Sequence, residues 1–182
     1  MTSTRKVATG QQALALVGWL ALSFAAALGA GFTSPAWYAQ LARPSWRPPP
    51  WVFGPVWSTL YVLMGVSAWL IWREGGWQRQ RLALGLFLAQ WGLNALWTPV
   101  FFGLRRIDLA LLDIVLLWLL IVATIVAFWR TSRPAAMLLI PYILWVTVAT
   151  ALNFGIWQLN GTARDPSATT ARALGSMRAQ SE

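Results

Sequence analysis

No lysine, arginine, aspartate or glutamate occurs in residues 7–42, 48–72, 82–104 or 134–163, and residues 109–129 carry a single acid, Asp113. Each of these runs reaches the roughly 20 residues that a helix needs to cross about 30 Å of hydrocarbon. Uncharged runs of this length leave few folds open, because backbone N–H and C=O groups in lipid must be satisfied within the spanning segment itself. The alternating ten-residue segments of a membrane barrel are absent. The sequence therefore predicts an all-α membrane protein, a bundle of five transmembrane helices over about residues 11–32, 51–72, 82–103, 109–129 and 134–159. Residues 161–182, rich in Ala, Ser, Thr and Arg, read as a mobile polar tail. Arg5 and Lys6 precede the first run as in a signal peptide, but that run is too long for a 7–15 residue signal core and reads as a retained span.

Composition narrows the chemistry. Only 10% of residues are charged, against about 25% in soluble domains. The net charge of +9 sits at span ends and in the tail, where it meets lipid headgroups and not nucleic acid. Basic residues are balanced between the two sides of a five-span layout, so they impose no orientation. Cysteine and histidine are both absent, which excludes disulfides, thiolate chemistry, histidine general bases and His/Cys metal sites. With Asp113 the one acid inside a span, a buried carboxylate pair is excluded as well. Asp113 is either a functional intramembrane acid or, with Arg105 and Arg106 close in sequence, half of a structural ion pair; the second reading is preferred.

Residues 43–61 read RPSWRPPPWVFGPVWSTLY. The loop of about residues 33–50 is long for a helical bundle, and such loops tend to carry function. Proline fixes φ and biases its predecessor towards extended backbone, so Pro48, Pro49 and Pro50 form a stiff strut. Trp37, Tyr38, Trp46 and Trp51 make the loop aromatic, and Arg43 and Arg47 make it basic. It leads straight into the second span, a placement suited to recognising a flat, amphipathic ligand.

Within the spans, Gln90, Asn94 and Trp97 fall at i, i+4 and i+7 on one helical face. Amides are costly in hydrocarbon, so this face points inward, either tying helices together or lining a pocket. Trp145, Ala149 and Asn153 repeat every four residues, with Leu152 beside them, and Trp145 falls too near mid-span for a headgroup belt. Trp72, Trp77, Trp129 and Trp157 lie at span ends as belt residues, and Trp69, Trp91 and Trp118 as packing or lipid-facing residues. Fourteen tryptophans exceed what a belt requires, and a flat π-rich ligand stacked between indoles accounts for the surplus. Ala21, Ala25 and Gly29 offer a smooth face for close helix approach, as do Gly85 and Ala89.

Four stretches carry a resemblance: WYAQLARPSWRPPPWVFGPVWSTLY (residues 37–61), AQWGLNALWTPVFFGLRR (89–106), ALLD (110–113) and PYILWVTVATALNFGIW (141–157). In this order and with five spans, the chain resembles the TspO/MBR family of bacterial tryptophan-rich sensory proteins and the mitochondrial translocator protein, or peripheral benzodiazepine receptor. The resemblance implies a five-helix bundle with the first loop as lid, often a homodimer, that binds porphyrins such as protoporphyrin IX and synthetic benzodiazepine-type ligands. It implies ligand-binding roles for Trp37, Tyr38, Trp46, Trp51, Trp57, Gln90, Asn94, Trp97, Trp145, Ala149 and Leu152. Some bacterial members are described as degrading protoporphyrin in light; Trp57 and Trp145 match the two tryptophans implicated and would be the catalytic pair if this chain is an enzyme.

That chemistry asks for no metal and no cofactor. Indole is a one-electron donor and stacking partner, while the porphyrin, as ligand or substrate, brings its own light absorption and oxygen activation. Arg43 and Arg47 meet either its propionates or lipid headgroups. Mammalian members carry a Tyr and a following Arg in a cholesterol motif at the end of the fifth span. Here that place reads Asn153-Phe154-Gly155-Ile156-Trp157-Gln158, which argues against sterol binding and for a bacterial membrane. The expected function is a tetrapyrrole-binding sensor or transporter, with photo-oxidative degradation and a stress-response scaffold as alternatives.

Overall fold

The structure is a computed structural model and describes residues 9–161; Arg5, Lys6 and the expected tail beyond Gly161 lie outside the described residues. Every regular element among them is helical. Helix α1 (Thr9–Ala25) tightens into a 3-10 stretch (Ala26–Phe32), and α2 (Pro35–Gln40) follows. Then come α3 (Pro50–Arg73), α4 (Gly76–Thr98) with a wide π-turn at its end (Pro99–Gly103), α5 (Ile107–Thr131), α6 (Arg133–Leu138) and α7 (Ile140–Gly161). Taking α6 and α7 as one interrupted span, the expected five-helix bundle is present. Four runs, Gly10–Gly29, Pro50–Arg73, Ile107–Thr131 and Arg133–Gly161, are long and apolar enough to cross a membrane. Helix α4 is as long but is diluted by Gln78, Arg79, Gln80 and Arg81 in its first turns and by Gln90 and Asn94 further on.

Two boundaries differ from expectation. Residues 73–81, which the expected span bounds leave as a connection, are mostly helix, because α4 already starts at Gly76. The chain reverses at Gly75 and Gly76, whose φ values of 132° and 65° suit glycine. The fifth span is broken at Leu139 (φ −89°, ψ −6°), since Pro141 has no N–H to give the preceding turn and its ring crowds the carbonyl there.

Helix α4 packs on α5, α1 on α3 and α5 on α7, whereas α3 and α7 meet only marginally. The close approach of α1 occurs at Gly65, where a Cβ would come within 2.9 Å of the Leu20 backbone. Of the expected smooth face, Gly29 does rest on α4, a Cβ there reaching 3.2 Å from the Ala95 carbonyl oxygen, but Ala21 is exposed. Met64, Ile71, Leu84, Phe87, Ile121 and Phe128 are fully buried at the centre. In lipid this burial gains mainly close packing, because hydrocarbon outside is as apolar as the core.

Hydrogen bonds add interhelical ties. The indole N–H groups of Trp69, Trp91 and Trp118 donate to the Gln12 carbonyl (3.0 Å), the Leu22 carbonyl (2.8 Å) and Thr147 Oγ1 (2.9 Å). Ser67 donates to the Ala135 carbonyl at 2.7 Å. Ties of this kind are worth about 0.6 kcal/mol each in a membrane. The expected ion pair of Asp113 is not formed. Arg106 instead engages Asp108 through two bonds of 2.9 and 2.7 Å at the exposed start of α5. Asp113 is turned into the bundle, and its Oδ2 has no hydrogen-bond partner among the described residues.

The lid is more structured than a loop. Pro35 occupies the first turn of α2, the position where its missing N–H costs nothing. Pro49 is extended (φ −57°, ψ 143°) and leads straight into Pro50, the first residue of α3. Pro44 is buried against Gly155, where a Cβ would come within 2.7 Å of its Cγ. Asn160 at the end of α7 holds the Ala42 backbone through two hydrogen bonds.

Candidate functional site

Beneath the lid lies a cavity of about 560 Å3. Helix α3 supplies Phe53, Trp57 and Tyr61, which recur every four residues on one face. Helix α4 supplies Asn94 and Trp97, the π-turn Phe101 and Phe102, and α5 Ile114 and Leu117. Helix α7 supplies Trp145, Ala149, Leu152 and Asn153, and the lid closes the top with Tyr38, Arg43, Arg47 and Pro48.

The walls are aromatic. Trp57 lies 5.4 Å from Tyr61 and 6.3 Å from Tyr142 between ring centroids. Trp145 meets Phe53 edge-on at 5.4 Å, and Trp97 stacks on Phe101 at 4.9 Å. Trp97 donates its indole N–H to Asn153 Oδ1 at 3.2 Å, and Asn153 Nδ2 donates to the Ile107 carbonyl at 3.2 Å. Asn153 thus spends its acceptor and one of its two donors on holding the wall. Asn94 is among the lining residues, and its Oδ1 is buried and unpartnered among the described residues. The two charged residues lining the cavity are Arg43 and Arg47, with no acid among the lining residues. The Arg43 guanidinium carbon sits 5.2 Å over the Tyr38 ring. The site is a flat-walled apolar chamber with cations at one end, suited to a planar molecule carrying a terminal anion.

Of the residues expected from sequence, Tyr38, Trp57, Asn94, Trp97, Trp145, Ala149 and Leu152 come together at this cavity. Trp37 stands behind it, packed on Phe101 and Phe102 at 5.7 and 6.3 Å. Gln90 is only 1% exposed but is not part of the wall, and neither of its amide atoms finds a partner among the described residues. Trp46 and Trp51 are not at the cavity: they are 56% and 74% exposed. Trp51 is two residues from Phe53, about 200° around α3 at 3.6 residues per turn, so it faces away from the site. Trp46 sits on a turn closed by the Arg47 N–H to the Pro44 carbonyl (3.3 Å), which turns it outward.

Phe53, Tyr61, Asn153, Phe101 and Phe102 also line the cavity, beyond the ligand-binding residues expected from sequence. The first two lie one turn either side of Trp57, and the same helical period identifies them. The two phenylalanines enter through the π-turn after Thr98, which leaves no periodic trace.

Comparison with known proteins agrees with this architecture. The model of the TspO/MBR family matches residues 13–158. The chain is 45% identical over 148 residues to protein CrtK of Rhodobacter capsulatus, covering 79% of this chain and 91% of the relative. It is 46% identical over 126 residues to the human translocator protein, covering 68% and 75% of the two chains. It is 43% identical over 148 residues to the tryptophan-rich sensory protein of Cereibacter sphaeroides, covering 78% and 91%.

Proposed function

The chain belongs to the TspO/MBR family, and from that premise we propose that it binds a tetrapyrrole such as protoporphyrin IX in the lidded cavity, as a sensor or transporter. Its apolar helices make it an integral membrane protein; a bacterial membrane and a homodimer are part of the proposal. The observation that carries the reading is the cavity itself. About 560 Å3 of space lies between Trp57, Trp97 and Trp145, with Arg43 and Arg47 at the lid. That volume falls within the roughly 300–1,000 Å3 of small-molecule pockets. The indoles stack on the macrocycle, and the two guanidinium groups take the propionates.

A second reading, light- and oxygen-dependent degradation of the porphyrin, is favoured by Trp57 and Trp145 lining the same cavity. One experiment tests both. Protoporphyrin IX is titrated into the purified protein while tryptophan fluorescence is followed, and the complex is then illuminated in air with pigment absorbance recorded. Saturable quenching with stable absorbance supports binding alone. Pigment loss that disappears in Trp57→Phe or Trp145→Phe supports the enzyme. Absence of quenching removes the tetrapyrrole assignment.

A further inference from the structure

On the outside of the bundle, between α3 and α7, lies a second concavity of about 510 Å3, whose lining includes Pro55, Thr59, Pro141, Leu144, Trp145 and Val148. Both helices belong to membrane-crossing runs, so this groove opens on hydrocarbon. It offers little to a polar partner: the Thr59 hydroxyl is spent on the Pro55 carbonyl at 2.9 Å. Trp145 borders both spaces, the groove on one side and the cavity on the other. At this seam α3 and α7 barely touch, which leaves the indole as the partition.

The partition is loosely held. Trp69, Trp91, Trp97 and Trp118 each fix their indole N–H by a hydrogen bond. Trp145 Nε1 is buried without a partner among the described residues, and the ring leans edge-on against Phe53. The lid side, by contrast, is fastened. Asn160 binds Ala42 at both its N–H and its carbonyl, and Pro44 is seated on Gly155.

We propose that the α3–α7 groove is a lateral portal through which a flat, apolar ligand dissolved in the bilayer reaches the cavity, with Trp145 as its door. This rests on reading the cavity as a ligand site. A molecule that partitions into lipid is already concentrated at the groove, and passage there leaves the two lid hydrogen bonds intact.

The absence of native cysteine gives a clean test. Ala149→Cys places one thiol in the cavity wall of the full chain in lipid nanodiscs. Its alkylation is timed with a maleimide carried on an acyl chain and with a charged maleimide confined to water. The acyl reagent is expected to react faster. Val148→Phe and Thr59→Phe, at exposed groove positions outside the cavity wall, slow it about tenfold, a barrier increase of about 1.4 kcal/mol. They leave the charged reagent and the helix content unchanged, and Asn160→Ala leaves the acyl rate unchanged. A faster charged reagent that Asn160→Ala accelerates further overturns the portal in favour of the lid. Indifference of the acyl rate to both phenylalanines overturns it as well. Porphyrin plays no part in this assay, so failure of porphyrin to bind counts against the ligand assignment and not against the portal.

Discussion

Asn160 and Ala42, far apart in sequence, pair like neighbouring strands: the Ala42 N–H donates to Asn160 Oδ1 at 3.1 Å, and Asn160 Nδ2 donates to the Ala42 carbonyl at 2.9 Å. A side-chain amide carries one acceptor and two donors, and the remaining donor reaches the Ile156 carbonyl at 2.7 Å. One residue thereby caps α7 and latches the lid.

Removing the latch should loosen the lid without unfolding the bundle. Each exposed hydrogen bond contributes about 0.5–1.5 kcal/mol, so Asn160→Ala is expected to lower stability by about 1 kcal/mol. It should also speed hydrogen exchange across residues 41–47. Asn160→Asp keeps the acceptor for the Ala42 N–H and loses the donors, so it should fall between. Unchanged exchange in Asn160→Ala, measured by mass spectrometry in nanodiscs, would show that the lid is held elsewhere.

Gly155 is the seat of the lid. A Cβ there meets Pro44 Cγ at 2.7 Å, and Pro44 is buried in a stiff segment that yields little. Gly155→Ala should therefore cost about 1–3 kcal/mol, as overpacking does, despite the better helix propensity of alanine. A thermal melt in detergent decides the sign; a gain in stability would mean that the lid moves aside freely.

Arg43 and Arg47 are expected to read the anionic end of the ligand. Hydrogen bonds to charged groups contribute about 1.5–3 kcal/mol, and Arg47 is exposed, which places the expectation at the low end. Arg43→Gln with Arg47→Gln should weaken protoporphyrin IX binding about tenfold. The same pair of changes should leave the dimethyl ester of the porphyrin unaffected. Equal losses for acid and ester, measured by fluorescence titration, would assign the arginines to structure or headgroups.

Asp113 separates burial from pairing. Its Oδ2 lacks a partner among the described residues, and an unpaired buried carboxyl costs free energy. Asp113→Asn should hold or raise the melting temperature. Asp108→Asn, which breaks an exposed pair with Arg106, should cost no more than about 1 kcal/mol. A clear loss of stability in Asp113→Asn would reveal a tie that the structure does not contain.

Much of the fold is legible in the sequence because hydrocarbon imposes a single demand, long runs without charge. The same demand blurs α4, whose Arg79 and Arg81 belong to the helix yet read as a loop. Helical period groups Asn94 with Trp97 on one inward face and Trp145 with Ala149 on another helix, with Leu152 beside them, and the structure gathers all five around one space. Period alone does not say which inward face meets a void, so Gln90, one turn from Asn94, is buried outside the wall. Trp46 and Trp51 escaped because richness in aromatics marks a segment and not a direction. The hold of Asn160 on Ala42 spans 118 residues and leaves no local pattern at all.

The fused prolines have one more consequence. With Pro49 extended and Pro50 already the first residue of α3, no flexible joint separates Arg47 from the helix that carries Trp57. The backbone span from Arg47 to the indole is then fixed, and only the arginine side chain adjusts. On the proposed reading of the cavity, candidate ligands are sorted by the span between their flat body and their negative end, within the reach of that side chain.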